Sequence, residues 1–314
     1  MMQEPAIQIV LATYNGGKFL AEQLDSLFKQ TFQAFSVLIR DDGSSDNTAE
    51  IIAGYQQRFP DRIQLVKDMK NNVGAAQNFG LLLEQSAADY IFFCDQDDVW
   101  LEDKMERSLE TIKRLEKDGP TVPCMVFTDM KSIDEEGIVI ADSVWRQLML
   151  ATGYFTLNRL LIQNIPHGCT MVINKSMRNL ASPVPAEAIL HDHWIALLAA
   201  ACGKWAAIPE PTVLLRNHGS NVTRKQTGVA DKLRRFIANA FSTDEYDYFI
   251  HIRVQQAKAL LQRTAGLITA EQTQLLKDFS QLENTSGFSR KRIFIKHRFY
   301  RTTFLHSLKM ILRA

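Results

Sequence analysis

Asp95, Asp97 and Asp98 stand in the tetrapeptide Asp95-Gln96-Asp97-Asp98, directly after the apolar run YIFFC. Alternate residues of an extended chain project to the same side, so an Asp-x-Asp spacing puts two carboxylates on one face. Carboxylates cannot face a diphosphate directly, but they hold Mg²⁺ or Mn²⁺, which bridges to phosphate oxygens. The same acids would also serve as caps for a helix starting near Leu101. Three more polar clusters follow apolar runs: Thr13-Tyr14-Asn15-Gly16-Gly17, Asp41-Asp42-Gly43-Ser44-Ser45-Asp46, and Asn71-Asn72-Val73-Gly74. Ligands of open α/β sheets bind beyond the carboxyl ends of the strands, so four polar strand ends in succession point to one crevice. Neither G-x-x-x-x-G-K-[ST] nor G-x-G-x-x-G occurs, which argues against a P-loop ATPase and a dinucleotide dehydrogenase.

The elements that must position these residues are visible as alternating patterns. Apolar runs IQIVLA, FSVLIR, RIQLV, YIFFC and CMVFTDM alternate with helix-like stretches over 18–29, 47–58, 75–85 and 101–116. Such alternation predicts βα units around a mostly parallel central sheet, whose strands are buried on both faces and read as continuously apolar. Further strands are expected near 168–173 and 212–216, and a helix from about Asp192 through IALLAAACG. From 225 onward the pattern is helical throughout, with amphipathic stretches around 231–241, 245–265 and 270–283. The expected organisation is a nucleotide-binding domain over 1–224, with a donor half of about 1–130 and an acceptor half of about 131–224. A helical region over 225–314 follows.

With 314 residues, 46% hydrophobic and 23% charged, the chain has the composition of an ordinary globular protein, neither disordered nor fibrous. The four cysteines are far apart and form no Cys-x-x-Cys pair, so they read as reduced core residues. The N-terminus lacks the basic start and long apolar core of a signal peptide, and no stretch approaches about 18 consecutive apolar residues. A cytoplasmic protein is expected. The net charge of +1 hides an asymmetry: after Glu283 there is no acid, while Arg290, Lys291, Arg292, Lys296, Arg298, Arg301, Lys309 and Arg313 accumulate. Interleaved with Phe294, Phe299, Tyr300, Phe304 and Leu308, these cations suit a helix lying on an anionic membrane surface, or one packed on its own domain with a solvated basic face. Nothing points to nucleic acid.

Four motifs, IVLATYNGGKFLAEQLDSLFKQT, VLIRDDGSSDNTAEII, NNVGAAQNFG and DYIFFCDQDDVWLEDKM, occur in order over the donor half. In that order and spacing the sequence resembles the family 2 glycosyltransferases of the GT-A fold, over roughly residues 7 to 222. DQDDVW with the later HDHW and HGSNVT looks like their bacterial rhamnosyltransferase branch. The resemblance implies an inverting, metal-dependent hexosyltransferase moving a sugar, rhamnose by the branch, from a dTDP- or UDP-sugar to an acceptor hydroxyl in surface polysaccharide assembly.

It also implies residue roles. Thr13, Tyr14 and Asn15 would line the base and ribose pocket, with Asp42 accepting a hydrogen bond from the pyrimidine. Gly74 and Asn78 match the third motif, although Gln77 stands where many members carry Arg. Asp95 would sit against the ribose or the metal, Gln96 would belong to the donor nucleotide site, and Asp97 would bind Mn²⁺ or Mg²⁺ directly. His218, in Arg216-Asn217-His218-Gly219-Ser220-Asn221, resembles a third metal ligand or pyrophosphate contact, and 220–227 a lid. An inverting transferase needs a carboxylate at the acceptor side, and Asp192 of His191-Asp192-His193-Trp194 fits, at a helix start whose dipole favours the ionised form. His167, His191 and Trp194 would border the acceptor, a saccharide or lipid-linked saccharide. Two other classes remain open: a nucleotidyltransferase, whose Gly-rich, Arg-containing N-terminal loop is missing, and a non-catalytic nucleotide-sugar-binding protein.

Overall fold

Ile7, Ile9, Val10 and Leu11 are all buried, which is what a strand covered on both faces requires. They belong to β1 (Ile7–Thr13), the middle of a βα alternation that runs as the periodicities predict. In the computed structural model, which describes residues 7–119, 121–150, 155–219, 243–301 and 311, β1 is followed by α1 (Leu20–Phe28), β2 (Ser36–Asp41), α2 (Thr48–Arg58) and β3 (Ile63–Leu65). Next come α3 (Ala75–Gln85), β4 (Tyr90–Cys94), β5 (Val99–Trp100), α4 (Lys104–Leu115) and β6 (Cys124–Ile133). The acceptor half contributes β7 (Val139–Ala141), α5 (Val144–Gln147), α6 (Leu157–Leu160), β8 (Val172–Asn174), α7 (Lys175–Ala181), α8 (His191–Cys202) and β9 (Lys204–Arg216). Three helices close the described chain: α9 (Thr243–Arg263), α10 (Ala270–Ser280) and α11 (Gly287–His297).

The strand order is β3-β2-β1-β4-β8-β6-β9-β5, with β7 paired to β6. The pairs β1–β2, β2–β3, β1–β4 and the long β6–β9 ladder are parallel, so the sheet is mostly parallel by ladder length. Antiparallel pairs enter only through β5, β7 and β8. After β1 the chain winds outward to β3 and returns to place β4 on the other side of β1, so the connections diverge between β1 and β4. That divergence opens the crevice at their carboxyl ends.

The two faces of the sheet carry two apolar clusters. One gathers α1, α2 and α4 through residues such as Leu24, Ile52 and Ile112. The other gathers α3 and α8 together with Tyr246, Ile250, Val254, Leu260, Leu276, Phe279, Phe294 and Phe299. The C-terminal helices therefore share a core with the sheet, and the expected boundary near 225 separates no independent core. The stretches 220–227 and 231–241, read as a lid and a helix, lie outside the described residues.

The basic tail is docked as far as it is described. Phe294 and Phe299 are fully buried, and the Phe279 and Phe299 rings meet edge to face at 4.9 Å. Lys296 pairs with Asp278 at 2.7 Å and Arg290 with Asp247 at 3.3 Å. Phe288 and Ile295 remain exposed. No helix among the described residues is long and apolar enough to cross a membrane. All four cysteines are free thiols, Cys94, Cys124 and Cys169 buried and Cys202 partly so.

Candidate active site

β1 and β4 end side by side, Leu11 opposite Cys94, so Thr13-Tyr14 lies against Asp95-Gln96. Gln96 fastens the two loops: its Oε1 accepts from the Tyr14 N–H at 2.8 Å and its Nε2 donates to the Tyr14 carbonyl at 2.9 Å. Gly16 leaves room for the clamp: a Cβ there would fall 2.2 Å from the Gln96 oxygen and displace its side chain. Gln96 is thus a clamp on the Tyr14 loop, its amide taken by backbone. Asn15 adopts a left-handed conformation, φ 49°, and its Oδ1 accepts from the Ser45 N–H at 2.8 Å.

Below this loop lies a buried ionic frame that holds three of the residues expected at the donor. Asp42 is 3% exposed and spends both oxygens on protein. Oδ1 accepts from Arg40 Nη1 at 3.1 Å and from the Val73 N–H at 3.0 Å, while Oδ2 accepts from the Gly74 N–H at 2.9 Å. Asn78 accepts from Arg40 at 3.0 Å and donates to the Thr13 and Arg40 carbonyls. Thr13 donates to Asp41 at 2.8 Å. Thr13, Asp42 and Asn78 are thus tied to protein partners at the floor of the pocket, bonds that fix their positions there. Gly74, at φ 81°, opens α3 with its N–H committed to Asp42. Tyr14, just after β1, is 49% exposed.

Arg40 was not singled out by the sequence. It is 1% exposed, is held by Asp68 at 2.8 Å and by Asp42, and its pKa stays above the usual arginine range because these two carboxylates outweigh the cost of burial. An Arg closing a strand before two acids is the signal that was available. Gln77, in the position where Arg was expected, donates instead to the Pro185 carbonyl at 3.1 Å.

The acidic turn after β4 is fixed from the opposite side of the sheet. β5 pairs antiparallel with β9, Val99 opposite Leu214, and this register carries the Asp97 turn to the end of β9. There His218 Nε2 sits 2.7 Å from Asp97 Oδ2. Arg216 ties the assembly: its N–H donates to Asp98 at 3.0 Å, its Nε to the Asp97 carbonyl at 3.1 Å, and its Nη2 to Glu22 at 2.6 Å. Asn217 is buried, with its amide donated to Ser132 and to the Ile133 carbonyl at 2.9 Å.

Asp192 arrives from the acceptor half. It lies in the first turn of α8, whose N-cap is Leu190, so it is not the cap. Its Oδ2 accepts from the Gly168 N–H at 3.0 Å and its Oδ1 from the His193 N–H at 2.5 Å. Burial pushes its carboxyl up to about 6, with the two backbone donors pulling the other way. It remains ionised at neutral pH, as a base requires. Its charge is felt by Asp95, which burial and then the carboxylates of Asp98, Asp97 and Asp192 hold well above the ordinary range. Asp98 is raised by burial and by Asp97, and its Oδ2 is buried without a partner.

Asp95, Asp97 and Asp98 stand together after β4, with Asp192 near enough for its charge to reach Asp95, and the unpartnered buried oxygen of Asp98 fits a divalent cation. Asp97 and His218 supply an oxygen and an imidazole nitrogen suited to Mn²⁺. Asp95, Asp98 and Cys169 also bring ligand atoms within 4.8 Å of one another, but burial pushes the Cys169 thiol well above its usual range and keeps it protonated. The oxygen-and-nitrogen set is the better match.

Two expected acceptor contacts are core residues. Trp194 is fully buried, its indole N–H donating to the Ala181 carbonyl at 3.0 Å, so no face is left for a sugar. His191 is 4% exposed and lies 3.9 Å, ring to ring, from Phe79. Burial drops its pKa to about 3, leaving a neutral ring that packs. His167, part-buried just before Gly168, stays near Asp192 through the chain.

The family model for Glycosyl transferase family 2 matches residues 8–179, more than half of the chain. The chain belongs to glycosyl transferase family 2. A dTDP-rhamnosyl transferase RfbG of Shigella flexneri is 27% identical over 265 residues, covering 75% of this chain and 86% of that protein. The structure of S. aureus TarS 1–349 in complex with UDP-GlcNAc aligns with a TM-score of 0.54 at 17% identity, over 93% of this chain and 89% of that one. The mannosyltransferase PcManGT of Pyrobaculum calidifontis, in complex with GDP-Man and Mn²⁺, gives 0.52 at 15% identity, over 99% and 87%. These two share the GT-A-like fold with this family 2 transferase.

Proposed function

We propose that this glycosyltransferase moves a sugar, rhamnose foremost, from a dTDP- or UDP-sugar to an acceptor hydroxyl with inversion, acting in surface polysaccharide assembly at the inner face of the cell membrane. The observation that supports the reading is the pairing of Asp97 with His218, together with the reach of the Asp192 charge to Asp95, from three segments far apart in sequence. The RfbG likeness supports the donor and the sugar.

Asp97 and His218 would hold Mn²⁺ or Mg²⁺, which when bound supplies Lewis-acid stabilisation of charge on a departing diphosphate. The chain's own residues do the rest. Tyr14 offers an exposed ring for a nucleoside base, on a loop that Gln96 keeps rigid. Asp95 borders the same wall, beside Tyr14, in position for a ribose. Asp192, ionised and held by two backbone N–H groups, takes the proton from the acceptor hydroxyl as its oxygen attacks the anomeric carbon from the side opposite the diphosphate. One displacement of that kind inverts the configuration.

The test is release of nucleoside diphosphate across a panel of UDP- and dTDP-sugars with Mn²⁺. We expect turnover with at least one dTDP-sugar, stopped by chelator and by Asp97→Ala. Full turnover in chelator, or an active Asp97→Ala protein, would overturn the metal role; a panel without any turnover would remove the transferase reading.

A further inference from the structure

We propose that Arg253 and Arg301, with Arg159 beside them, form an anion subsite on the acceptor side of the crevice that takes a phosphate oxyanion of a phosphorylated acceptor. The proposal rests on the transfer reading above and specifies its acceptor. Arg253 projects from α9 and stacks on Phe249, its guanidinium carbon 3.6 Å from the ring centroid. Arg301 approaches the same ring at 6.0 Å, so two guanidinium groups flank one aromatic side chain. Arg159, from α6, donates to the Arg301 carbonyl at 3.4 Å.

Like charges gathered in this way repel, and the effect is visible at Arg253. Burial and then the Arg301 charge bring its pKa down to about 9. Its Nε donates to the Ile162 carbonyl at 3.0 Å and its Nη1 to the Phe249 carbonyl at 3.2 Å. Among the described residues no carboxylate lies within ion-pair distance of it, and its Nη2 is unengaged. Planar guanidinium groups in such a cluster match phosphate oxygens, accept no proton, and require no metal.

Its place in the fold ties the cluster to the reacting end of the site. Arg253 is bonded to the segment of Leu160 to Ile162, and the Leu160 carbonyl accepts from His193 Nε2 at 2.6 Å. The next residue back, Asp192, takes the His193 N–H. The charge of Arg253 reaches the His193 ring, lowering its pKa after burial has done so. The cluster therefore belongs to the elements around Asp192, whereas the donor diphosphate is expected at the Asp97 and His218 wall. A phosphate held here would anchor an acceptor whose hydroxyl is presented to Asp192.

Binding of inorganic pyrophosphate, measured by titration calorimetry in EDTA without donor, isolates this site, because the carboxylate cluster repels an anion when no cation is present. We expect Arg253→Gln and Arg301→Gln each to weaken pyrophosphate about tenfold, the usual worth of a charge-assisted contact. Arg253→Lys should fall between. Arg62→Gln is the matched control, a guanidinium equally stacked on aromatic rings, 4.2 Å from Phe35, at the far edge of the sheet. Equal affinity in wild type and all four variants, or a loss in Arg62→Gln as large as in Arg253→Gln, would overturn the proposal. Melting curves confirm that each variant is folded.

The source of the phosphate follows from sedimentation with phosphatidylcholine vesicles, plain or doped with a polyprenyl diphosphate. Selective binding to the doped vesicles that Arg253→Gln loses assigns a lipid-linked acceptor, and pyrophosphate binding without vesicle binding assigns a soluble phosphate ester. Equal binding of wild type and both Gln variants to phosphatidylglycerol vesicles, with no pyrophosphate binding, would overturn the subsite. Because donor and metal are absent throughout, an inactive transferase would leave these results unchanged.

Discussion

Replacing Asp192, the proposed base, by Asn keeps its shape without its charge, and the structure allows the stability cost to be worked out beforehand. Burial holds the carboxyl at about 6 instead of its ordinary 3.8, which corresponds to about 3 kcal/mol of unfavourable charge burial at neutral pH. The sign follows from the raised value: the native state binds the proton more tightly than the unfolded chain does. The penalty is absent below about pH 4, grows as pH rises, and is complete above about pH 6. Asparagine abolishes it. Yet the two backbone N–H groups of Gly168 and His193 both point at this side chain, and the Asn NH₂ can satisfy neither. One buried donor is left unmatched, at about 1–3 kcal/mol. The two effects nearly cancel, so the melting temperature should move by only a few degrees. The rate should fall by about 10² to 10⁴, the contribution of a positioned general base, or about 3–5 kcal/mol of barrier. The assay is the initial rate of nucleoside diphosphate release from the productive donor between about pH 5 and pH 8, with melting curves on the same samples. Wild-type kcat should fall on the acid side with a midpoint near 6, and the residual rate of Asp192→Asn should lack that limb. A variant within about threefold of wild type, or one that keeps the limb, would show that the base lies elsewhere.

His218→Ala should raise the Mn²⁺ requirement by about 10- to 100-fold, the range seen when even an outer partner of a metal ligand is lost; unchanged activation by Mn²⁺ would take the imidazole out of the site. Gly168→Ala places a Cβ 2.6 Å from His191 Nε2, whose ring is wedged against Phe79, so a loss of about 1–3 kcal/mol is expected together with a drop in kcat as the Asp192 contact shifts. Denaturant melts and rates on one preparation check both. Phe299→Ala should cost about 3–5 kcal/mol because this residue of the basic tail is fully buried in the shared core. A chain cut after Glu283 would for the same reason be less stable in solution, and a membrane assay on it must be read against its melting curve.

The sequence by itself determined the βα alternation and the four polar strand ends, because buried parallel strands are continuously apolar and because a diphosphate without a glycine-rich cradle calls for clustered carboxylates. It also displayed the order of motifs that marks the family, and α1 to α4 fall within a few residues of their periodic stretches. Short elements escaped it: β5 has two residues and no pattern of its own, yet its register with β9 is what brings Asp97 to His218. Side-chain roles inside motifs escaped it too. Asp42, Asn78 and Gln96 occupy motif positions, but only the folded chain shows their polar atoms spent on Arg40, Gly74 and Tyr14. Trp194 and His191 are polar-tipped aromatics beside Asp192 in sequence, and helical geometry turns them into the core while the carboxylate faces Gly168. Tertiary structure alone decided that the C-terminal helices share the core of the sheet and that Asp192, 95 residues beyond Asp97, lends its charge to the same pocket. Local pattern records which face of an element is buried; contact between distant elements depends on how their faces are stacked, and that is written in no single stretch of chain.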